Sequence, residues 1–353
     1  MGGAEKQLVI WAELLQVNLG MQVAVATFDS RIDRKEVLDE LQVPVLVLGQ
    51  DLSTAARTRK LLSFAHAMQP DVVHAFTLYL APLAYMSALA CRAVPVAATQ
   101  GNGSSDMQEL RTIFRSPTMK AIKYFTCNSH EALAHIKPHV RSNALLYYVP
   151  NLVAVPKIEF PTTHEKSNKE LSNKHLVVLS VGRLDDNKRV DVYLQALARA
   201  RREEPRLTGV VVGDGPLRAE LTKQAESLGL LPDGVVFMGQ LSDPDPAYAA
   251  ADIFVHLAQN EGTPNVLLEA MAAGLPVVTT AAGDIPHIVR TKENGIIVPF
   301  NDPGVVAKQI LLLAKSRELR HSLGEQAHKD VLHSFSAKKV SYSLERFYLT
   351  IKK

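Results

Sequence analysis

The chain has 353 residues, of which 47% are hydrophobic and 21% are charged, and its net charge is +3. This length and composition predict a globular protein with two domains or one large one, and the small charge does not indicate nucleic-acid binding. No stretch resembles a signal peptide or is long and apolar enough to predict a membrane span. Cys91 and Cys127 lie far apart in apolar surroundings, which predicts buried free thiols in a reducing, cytoplasmic compartment.

Short apolar runs alternate with helical segments through the first 155 residues. The predicted strands are Val23–Phe28, Val43–Leu48, Val72–Phe76, Val94–Ala98, Tyr124–Cys127 and Leu145–Val149. The segments between them include the predicted helices Ser53–Met68, Leu80–Arg92 and His130–Val140. Near-continuous apolar strands that alternate with helices predict a parallel sheet covered on both faces. Residues 156–174 are mostly polar and predict an interdomain linker.

A second α/β series occupies residues 175–335. Its predicted strands are Leu176–Val181, Thr208–Val212, Val235–Met238, Ile253–Ala258, Val277–Thr280 and Gly295–Val298. Its predicted helices include Val190–Glu203, Pro216–Leu228, Pro264–Ala273 and Pro303–Ala314. A last amphipathic helix, within residues 336–353, is expected to pack back on the first domain. The fold class is therefore α/β, with two doubly wound Rossmann-like domains facing a central cleft, and ligands are expected at the carboxyl ends of the strands.

The segment from Glu261 to Val278 combines two carboxylates with a helix start. Thr263 is a suitable N-cap, Pro264 a suitable first helical residue and Gly274 a suitable stop. The free N–H groups of a helix N-terminus favour a phosphate, whereas Glu261 and Glu269 are acceptors for hydroxyl groups. Both requirements are met by a nucleotide sugar, while an ordinary βαβ unit with two solvated glutamates is the alternative.

Two further strand-to-helix turns carry candidate ligand-binding residues. Arg183 and Lys188 lie in the first turn, after strand Leu176–Val181. The planar guanidinium of Arg183 suits paired hydrogen bonds to phosphate oxygens, and the ammonium group of Lys188 supplies a compact positive charge. Gly213 lies in the second turn, and Gly239 follows the next strand. A solvated helix start is the alternative for the first turn, and a plain βα turn is the alternative for the second.

Together, these segments resemble the retaining glycosyltransferases of the GT-B fold, family 4, whose signature is a Glu-x7-Glu motif. The resemblance covers almost the whole chain and is strongest over residues 176–300. It implies that Glu261 accepts hydrogen bonds from the donor sugar, that Glu269 accepts them from the ribose, and that Arg183 and Lys188 hold the diphosphate. It also implies donor contacts by backbone groups. These lie at Gly2, Gly3, Gly213, Gly239, Gly262, Thr263, Pro264 and Asn265.

The first domain departs from the family pattern at two points. In the family a hydrophobic strand precedes the Gly-Gly-Ala-Glu segment, so Met1 is expected to be internal in the natural protein. Many relatives carry a histidine near the donor sugar where this chain has Gln100. Gln100 and His74 are the candidates for a sugar or acceptor contact, and a satisfied structural histidine is the alternative for His74.

The resemblance implies transfer of a hexosyl group, with retention, from a nucleotide-diphosphate sugar to a glycan or lipid-linked acceptor. A UDP-sugar is favoured over a GDP-sugar, and neither a metal nor another cofactor is expected. A GT-B-fold sugar-nucleotide epimerase and a catalytically silent partner subunit are the alternatives. Six basic residues against one acid between Arg111 and Arg141 suggest contact with an anionic membrane surface, with a solvated basic face as the alternative.

Overall fold

A computed structural model of the protein describes residues 3–28, 34–49, 51–99, 116–153 and 175–351. The chain divides into two compact units. The first unit comprises Met1–Leu152 together with Ala337–Lys353, and the second comprises Val153–Ser336. The whole predicted linker, residues 156–174, lies outside the described residues, as do Gly2, Gln100, Arg111 and Arg115.

The strands of the first unit follow the predicted apolar runs closely. They are β1 Val25–Thr27, β2 Val45–Val47, β3 Val72–Ala75, β4 Val94–Thr99, β5 Tyr124–Cys127 and β6 Leu145–Tyr148. Among the described residues they form two parallel sheets, one of order β1-β2 and one of order β3-β4-β5-β6. Residues of β4 and β5 such as Val96 and Phe125 are fully buried, because helices cover both faces of these strands.

The helices of the first unit include two that were predicted almost to the residue. They are α1 Gly3–Glu13, α2 Lys35–Glu40, α3 Thr54–Met68, α4 Ala81–Cys91, α5 Pro117–Ala121 and α6 His130–Ile136. Helix α1 continues into a π-helical turn, Leu14–Asn18. Ser53 and Ser129 cap α3 and α6, since each hydroxyl accepts a hydrogen bond from an N–H three residues on. Cys127 is buried as predicted, whereas Cys91 is only half-buried.

The second unit contains one parallel sheet of six strands. The strands are β7 Leu176–Val181, β8 Leu207–Val212, β9 Val235–Gly239, β10 Ile253–His256, β11 Val277–Thr280 and β12 Ile296–Val298. Their order is β12-β11-β10-β7-β8-β9. The winding direction therefore reverses between β7 and β10, where Ile253 pairs with Val178. In open α/β sheets this reversal leaves a crevice at the carboxyl ends of the strands, where ligands bind.

Seven helices cover the described part of this sheet. They are α7 Val190–Glu203, α8 Arg218–Ser227, α9 Asp245–Ala250, α10 Asn265–Ala272, α11 Ile285–Ile288, α12 Pro303–Lys315 and α13 Arg317–Ser334. Leu194 and Ile310, from α7 and α12, lie in the core on one face of the sheet. Leu268 and Met271, from α10, lie in the core on the other face. Both faces of the central strands are therefore covered, which accounts for their largely apolar sequences.

The last helix, α14 Ala337–Ile351, is grouped with the first unit. Val340, Leu344 and Phe347 are fully buried on it. The hydroxyl of Tyr348 lies 2.9 Å from Nδ1 of His74, and Asn18 donates to Ser341 at 2.9 Å. The apolar stripe of this helix thus completes the core of the first unit. The described residues include no helix long and apolar enough to cross a membrane.

Candidate functional site

The candidate site is formed by the loops that follow β7 and β10, the two strands at the reversal of the sheet. Residues 182–189 connect β7 to α7 and carry Arg183 and Lys188. Residues 257–264 connect β10 to α10 and carry Glu261. Because β7 and β10 are parallel neighbours, both loops leave the same edge of the sheet. Residues more than 70 positions apart in the sequence are thereby brought together.

Glu261 is the centre of a small charged cluster. Its Oε1 forms an ion pair with Nζ of Lys188 and lies 3.1 Å from Nε2 of His256. The carboxylate side chain is only 12% exposed. Burial by itself would raise the pKa of Glu261, but the hydrogen bond and charge of His256 and the charge of Lys188 lower it to about 2. Glu261 is therefore a carboxylate, a pure hydrogen-bond acceptor, at every physiological pH.

The backbone and the methylene groups of Lys188 are held in place. Its backbone N–H donates to a carboxylate oxygen of Asp185 at 3.2 Å. Its methylene groups run past Gly182, where an added Cβ would stand 3.5 Å from them. The ammonium group is the part of the side chain that can change its partner. A diphosphate bound nearby would compete with Glu261 for this ammonium group.

Arg183 is oriented differently from Lys188. Its side chain is 71% exposed and its Nε lies 3.8 Å from a carboxylate oxygen of Asp185. An exposed pair of this kind contributes little to stability, so the guanidinium can be drawn to another anion at small cost. The predicted phosphate role of Arg183 stays a prediction, and the exposed position is compatible with it.

The helix that follows Glu261 begins one residue later than the sequence indicates. Pro264 has φ −74° and ψ 114°, which is extended backbone, and α10 starts at Asn265. The predictions of Thr263 as N-cap and Pro264 as first helical residue are therefore wrong, because the extended ψ of Pro264 makes it the N-cap residue. The helix ends as predicted near Gly274, which has φ +72°. The predicted diphosphate contacts of Gly262, Thr263, Pro264 and Asn265 remain predictions.

Glu269, the second acid of the motif, is buried within α10. It is 8% exposed, and its Oε2 accepts a hydrogen bond of 3.0 Å from the hydroxyl of Tyr248. Tyr248 lies on α9 and also approaches the carbonyl of Val266 at 3.4 Å. Burial, followed by the charge of Glu269, holds the pKa of Tyr248 well above its usual value, so the hydroxyl remains a donor. Glu269 is thus a fixed acceptor rather than a solvated surface residue.

The loop after β8 packs tightly against the loop after β7. Gly213 has φ +133°, and a Cβ built there would stand 1.9 Å from the carbonyl oxygen of Gly182. At Gly215 the added Cβ would stand 2.4 Å from the carbonyl oxygen of Leu184. The two glycines are required for this close approach of the backbones. The loop after β8 thereby packs against the loop that carries Lys188.

The end of β9 lies next to this pair of loops. The N–H of Gly213 donates to the carbonyl of Gly239 at 2.7 Å, and Gly239 has φ +73°. The guanidinium of Arg218 lies 5.1 Å from the centre of the Phe237 ring and donates to the Phe237 carbonyl at 3.3 Å. The structure thus brings Gly213 and Gly239 together at one strand edge, while their donor contacts remain predictions.

The other predicted site residues belong to the first unit. Gly3 opens helix α1, and Gly2 and Gln100 lie outside the described residues. His74 uses both ring nitrogens: Nδ1 lies 2.9 Å from the Tyr348 hydroxyl and Nε2 lies 3.1 Å from the Thr126 hydroxyl. Burial lowers the pKa of His74 to about 3. The structure therefore uses His74 as a satisfied structural residue, and a sugar contact would require these bonds to break.

Three residues of this site are not evident from the sequence motifs. They are His256, which bonds Glu261, Tyr248, which bonds Glu269, and Asn187, which bonds the backbone of Asn260. Only His256 had a usable signal, since an imidazole that ends a fully buried apolar strand needs a polar partner. In the described residues no three His, Cys, Asp or Glu side chains are grouped as metal ligands.

Two α/β units built on parallel sheets agree with the GT-B class of proteins. HepE from Anabaena, solved with UDP and glucose, shares this fold with a TM-score of 0.81 and 20% identity. That likeness covers 99% of this chain and 96% of HepE. A glycosyltransferase from Rickettsia africae ESF-5 gives a TM-score of 0.79 at 17% identity, over 100% of this chain and 96% of its own. The chain therefore has the GT-B fold.

Sequence comparison gives a family match over part of the chain. Residues 162–330 match the family described as Glycosyl transferases group 1. N-acetyl-alpha-D-glucosaminyl L-malate synthase of Bacillus anthracis is 28% identical over 64% of this chain and 59% of its own length. The lipopolysaccharide core biosynthesis glycosyltransferase LpsE of Rhizobium meliloti (strain 1021) is 34% identical over 47% of each chain. The matches thus span about half of the length of these curated relatives.

Proposed function

We propose that this protein is a glycosyltransferase that transfers a hexosyl group from a nucleotide-diphosphate sugar, with retention of anomeric configuration. The observation that carries the proposal is the cluster of Lys188, Glu261 and His256 at the reversal of the sheet. In the helix that follows, Glu269 is oriented by a hydrogen bond from Tyr248. This cluster offers a cation for phosphate oxygens and two oriented carboxylates for hydroxyl groups. The Glycosyl transferases group 1 match, residues 162–330, contains all five of these residues.

In the proposed reaction the acceptor hydroxyl oxygen bonds to the anomeric carbon, and the bond from that carbon to the β-phosphate oxygen breaks. The acceptor proton passes to the departing diphosphate. Lys188 and Arg183 stabilise the negative charge that develops on the diphosphate, together with the N-terminal N–H groups of α10. Glu261 and Glu269 orient the donor through its sugar and ribose hydroxyls. The proposal includes no metal or other cofactor.

We propose a UDP-sugar as the donor and a glycan or lipid-linked sugar as the acceptor. The support for UDP is that HepE, which shares the fold, has been solved with UDP and with UDP-glucose. The support for the acceptor class is that LpsE acts in lipopolysaccharide core biosynthesis. The N–H groups and carbonyls around Gly239 are the groups we expect to meet the base.

We also propose a cytoplasmic location at the inner face of a membrane. Of the basic residues between Arg111 and Arg141, Lys120, Lys123 and Lys137 are exposed in the structure. Basic side chains near an anionic surface contribute about 1 kcal/mol each to binding. Sedimentation with vesicles of anionic lipid at low salt tests this part, and equal recovery with neutral and anionic vesicles would contradict it.

The main proposal is tested by calorimetric binding of UDP, GDP and ADP and their common sugars, followed by transfer from a labelled donor. We expect tight binding of UDP and its sugars, weakened about 10-fold or more in Glu269→Ala because a ribose hydroxyl loses its side-chain acceptor. Glu261→Gln is expected to abolish transfer while it retains nucleotide binding. Binding without transfer to any acceptor would favour a silent partner subunit, and release of an epimerised donor would favour an epimerase.

A further inference from the structure

Asn187 forms a two-point hydrogen bond to the backbone of Asn260. Its Nδ2 donates to the Asn260 carbonyl at 2.9 Å, and its Oδ1 accepts from the Asn260 N–H at 2.9 Å. The backbone adds a third bond, in which the N–H of Gln259 donates to the Asn187 carbonyl at 2.9 Å. These three bonds join the loop after β7 to the loop after β10.

The two joined residues directly precede the two charged residues of the site. Asn187 is followed by Lys188, and Asn260 is followed by Glu261. Consecutive Cα atoms are about 3.8 Å apart across a trans peptide, so a bond between residues 187 and 260 limits the distance between residues 188 and 261. The side chains of Lys188 and Glu261 are correspondingly in contact.

Few side chains can make this connection. A terminal amide carries a donor and an acceptor side by side, so it can pair with both the N–H and the carbonyl of one residue. The chain uses the same device in its first unit, where Gln7 donates to the Leu152 carbonyl and accepts from the Leu152 N–H, both at 2.9 Å. Asn187 differs from Gln7 in its accessibility, since Gln7 is buried whereas Asn187 is only half-buried. Its amide can therefore be altered without opening a core.

We propose that Asn187 is a positioning residue for the donor site. Its amide holds the loop of Lys188 against the loop of Glu261 and so sets the separation at which a nucleotide-diphosphate sugar meets the cation and the carboxylate. This role rests on the proposed function for its ligand, but the effect on the Lys188–Glu261 pair does not depend on any ligand. Asn187 itself need not touch the substrate.

The first test is a double-mutant cycle on stability, which needs no substrate. The coupling between Lys188→Met and Glu261→Gln is measured by denaturant unfolding in the wild-type protein and again in Asn187→Ala. We expect a clear coupling in the first background and its loss in the second. An unchanged coupling in Asn187→Ala would overturn the proposal, because the amide would then have no influence on the pair.

The second test separates positioning from general stability through kinetics. Asn187→Ala is expected to lower kcat/KM for the donor about 10-fold or more, because a displaced charged group costs transition-state stabilisation. In a Lys188→Met background the same change is expected to have little further effect. If Asn187→Ala lowered kcat/KM by the same factor in the wild-type and Lys188→Met backgrounds, an action of Asn187 through Lys188 would be contradicted.

The matched control is Asn294, which also makes a donor and an acceptor bond to backbone in the second unit. It donates to the Ile288 carbonyl at 3.0 Å and accepts from the Arg290 N–H at 2.7 Å. Asn294→Ala is expected to lower thermal stability with kcat/KM unchanged. If wild-type protein binds no nucleotide, the proposed function fails, and the stability cycle still confirms or overturns the role of Asn187.

Discussion

His256 and Glu261 are joined by a contact of 3.1 Å between Nε2 of the ring and Oε1 of the carboxylate, the oxygen that Lys188 also contacts. His256 is 3% exposed and ends strand β10, so its ring is fixed by the sheet. Lys188, in contrast, lies on a loop and has a flexible ammonium group. A donor that attracted Lys188 would leave Glu261 with a rigid partner, and the carboxylate would keep its orientation.

We therefore expect His256→Leu to move the acid limb of the pH–activity profile. His256 is the main cause of the low pKa of Glu261, and its loss should let this pKa rise from about 2. A carboxylate whose pKa is depressed supports function above that pKa, so the variant should lose kcat/KM at a higher pH than the wild type as pH falls. The measurement is donor kcat/KM between pH 3.5 and 8.

His256→Gln is the control for this prediction, because its amide can still donate to Glu261 but carries no charge. We expect a smaller displacement of the acid limb than in His256→Leu. A profile for His256→Leu that matches the wild type, with only a lower Tm, would show that the ring serves packing alone.

Tyr248→Phe is expected to weaken nucleotide binding through Glu269. The change removes the hydrogen bond to Oε2 and leaves a buried carboxylate oxygen without that donor. Loss of a hydrogen bond to a charged group costs about 1.5–3 kcal/mol. Part of this cost should appear in unfolding and part in a weaker Kd for the nucleotide, since the ribose acceptor is then less well oriented.

Tyr193→Phe provides a matched comparison. Tyr193 is equally buried in the same unit, and its hydroxyl donates to the Val178 carbonyl at 2.6 Å, away from the acids. Its loss should reduce stability by about 1 kcal/mol with no change in nucleotide affinity. Equal effects of the two variants on Kd would contradict a specific role for Tyr248.

Gly213→Ala is expected to disrupt the donor loops. Its Cβ would overlap the Gly182 carbonyl, and φ +133° is unfavourable for any L-residue with a side chain. We expect a loss of more than about 3 kcal/mol in the free energy of unfolding or a clear fall in nucleotide affinity. Gly229 is the control, with φ +68° and no atom within 4 Å of an added Cβ. Gly229→Ala should cost only about 1 kcal/mol, and an equal loss at both positions in thermal unfolding would refute the steric argument.

The stability of the first unit is expected to depend on pH through His74. Its pKa is lowered from 6.5 to about 3 by burial, so the folded protein favours the neutral ring. The unfolded chain therefore binds more protons below pH 6.5, and stability is lost as pH falls from 6.5 towards 3. At pH 5 the loss is about 2 kcal/mol relative to pH 7.5.

The measurement is denaturant unfolding of wild type and His74→Gln across this range. The amide of the variant can bond Tyr348 or Thr126 but does not titrate. We expect the difference in unfolding free energy between the two proteins to change with pH, in favour of the variant at low pH. Parallel pH profiles would show that His74 does not control this dependence.

The strands were the most predictable part of the fold. In the second unit β7 and β11 coincide with their predicted runs, because a parallel strand buried on both faces is largely apolar and carries no charged residue. The short helices α9 and α11 were not predicted, since four to six residues are too few to show a helical period. The start of α10 was misplaced by one residue because a Pro near a helix start can be N-cap or first helical residue, and only the backbone ψ distinguishes them.

The sequence by itself determined the α/β class, the order of the strands along the chain and the Glu261–Glu269 frame, because periodicity and turn chemistry act over short distances. The contacts of those residues depended on the tertiary structure. Lys188 and Glu261 meet because the sheet places β10 beside β7, and Asn187 and His256 have roles only as a result of that pairing. Strand order within a sheet is set by long-range packing, and no local sequence pattern specifies which distant residues will share a carboxylate oxygen.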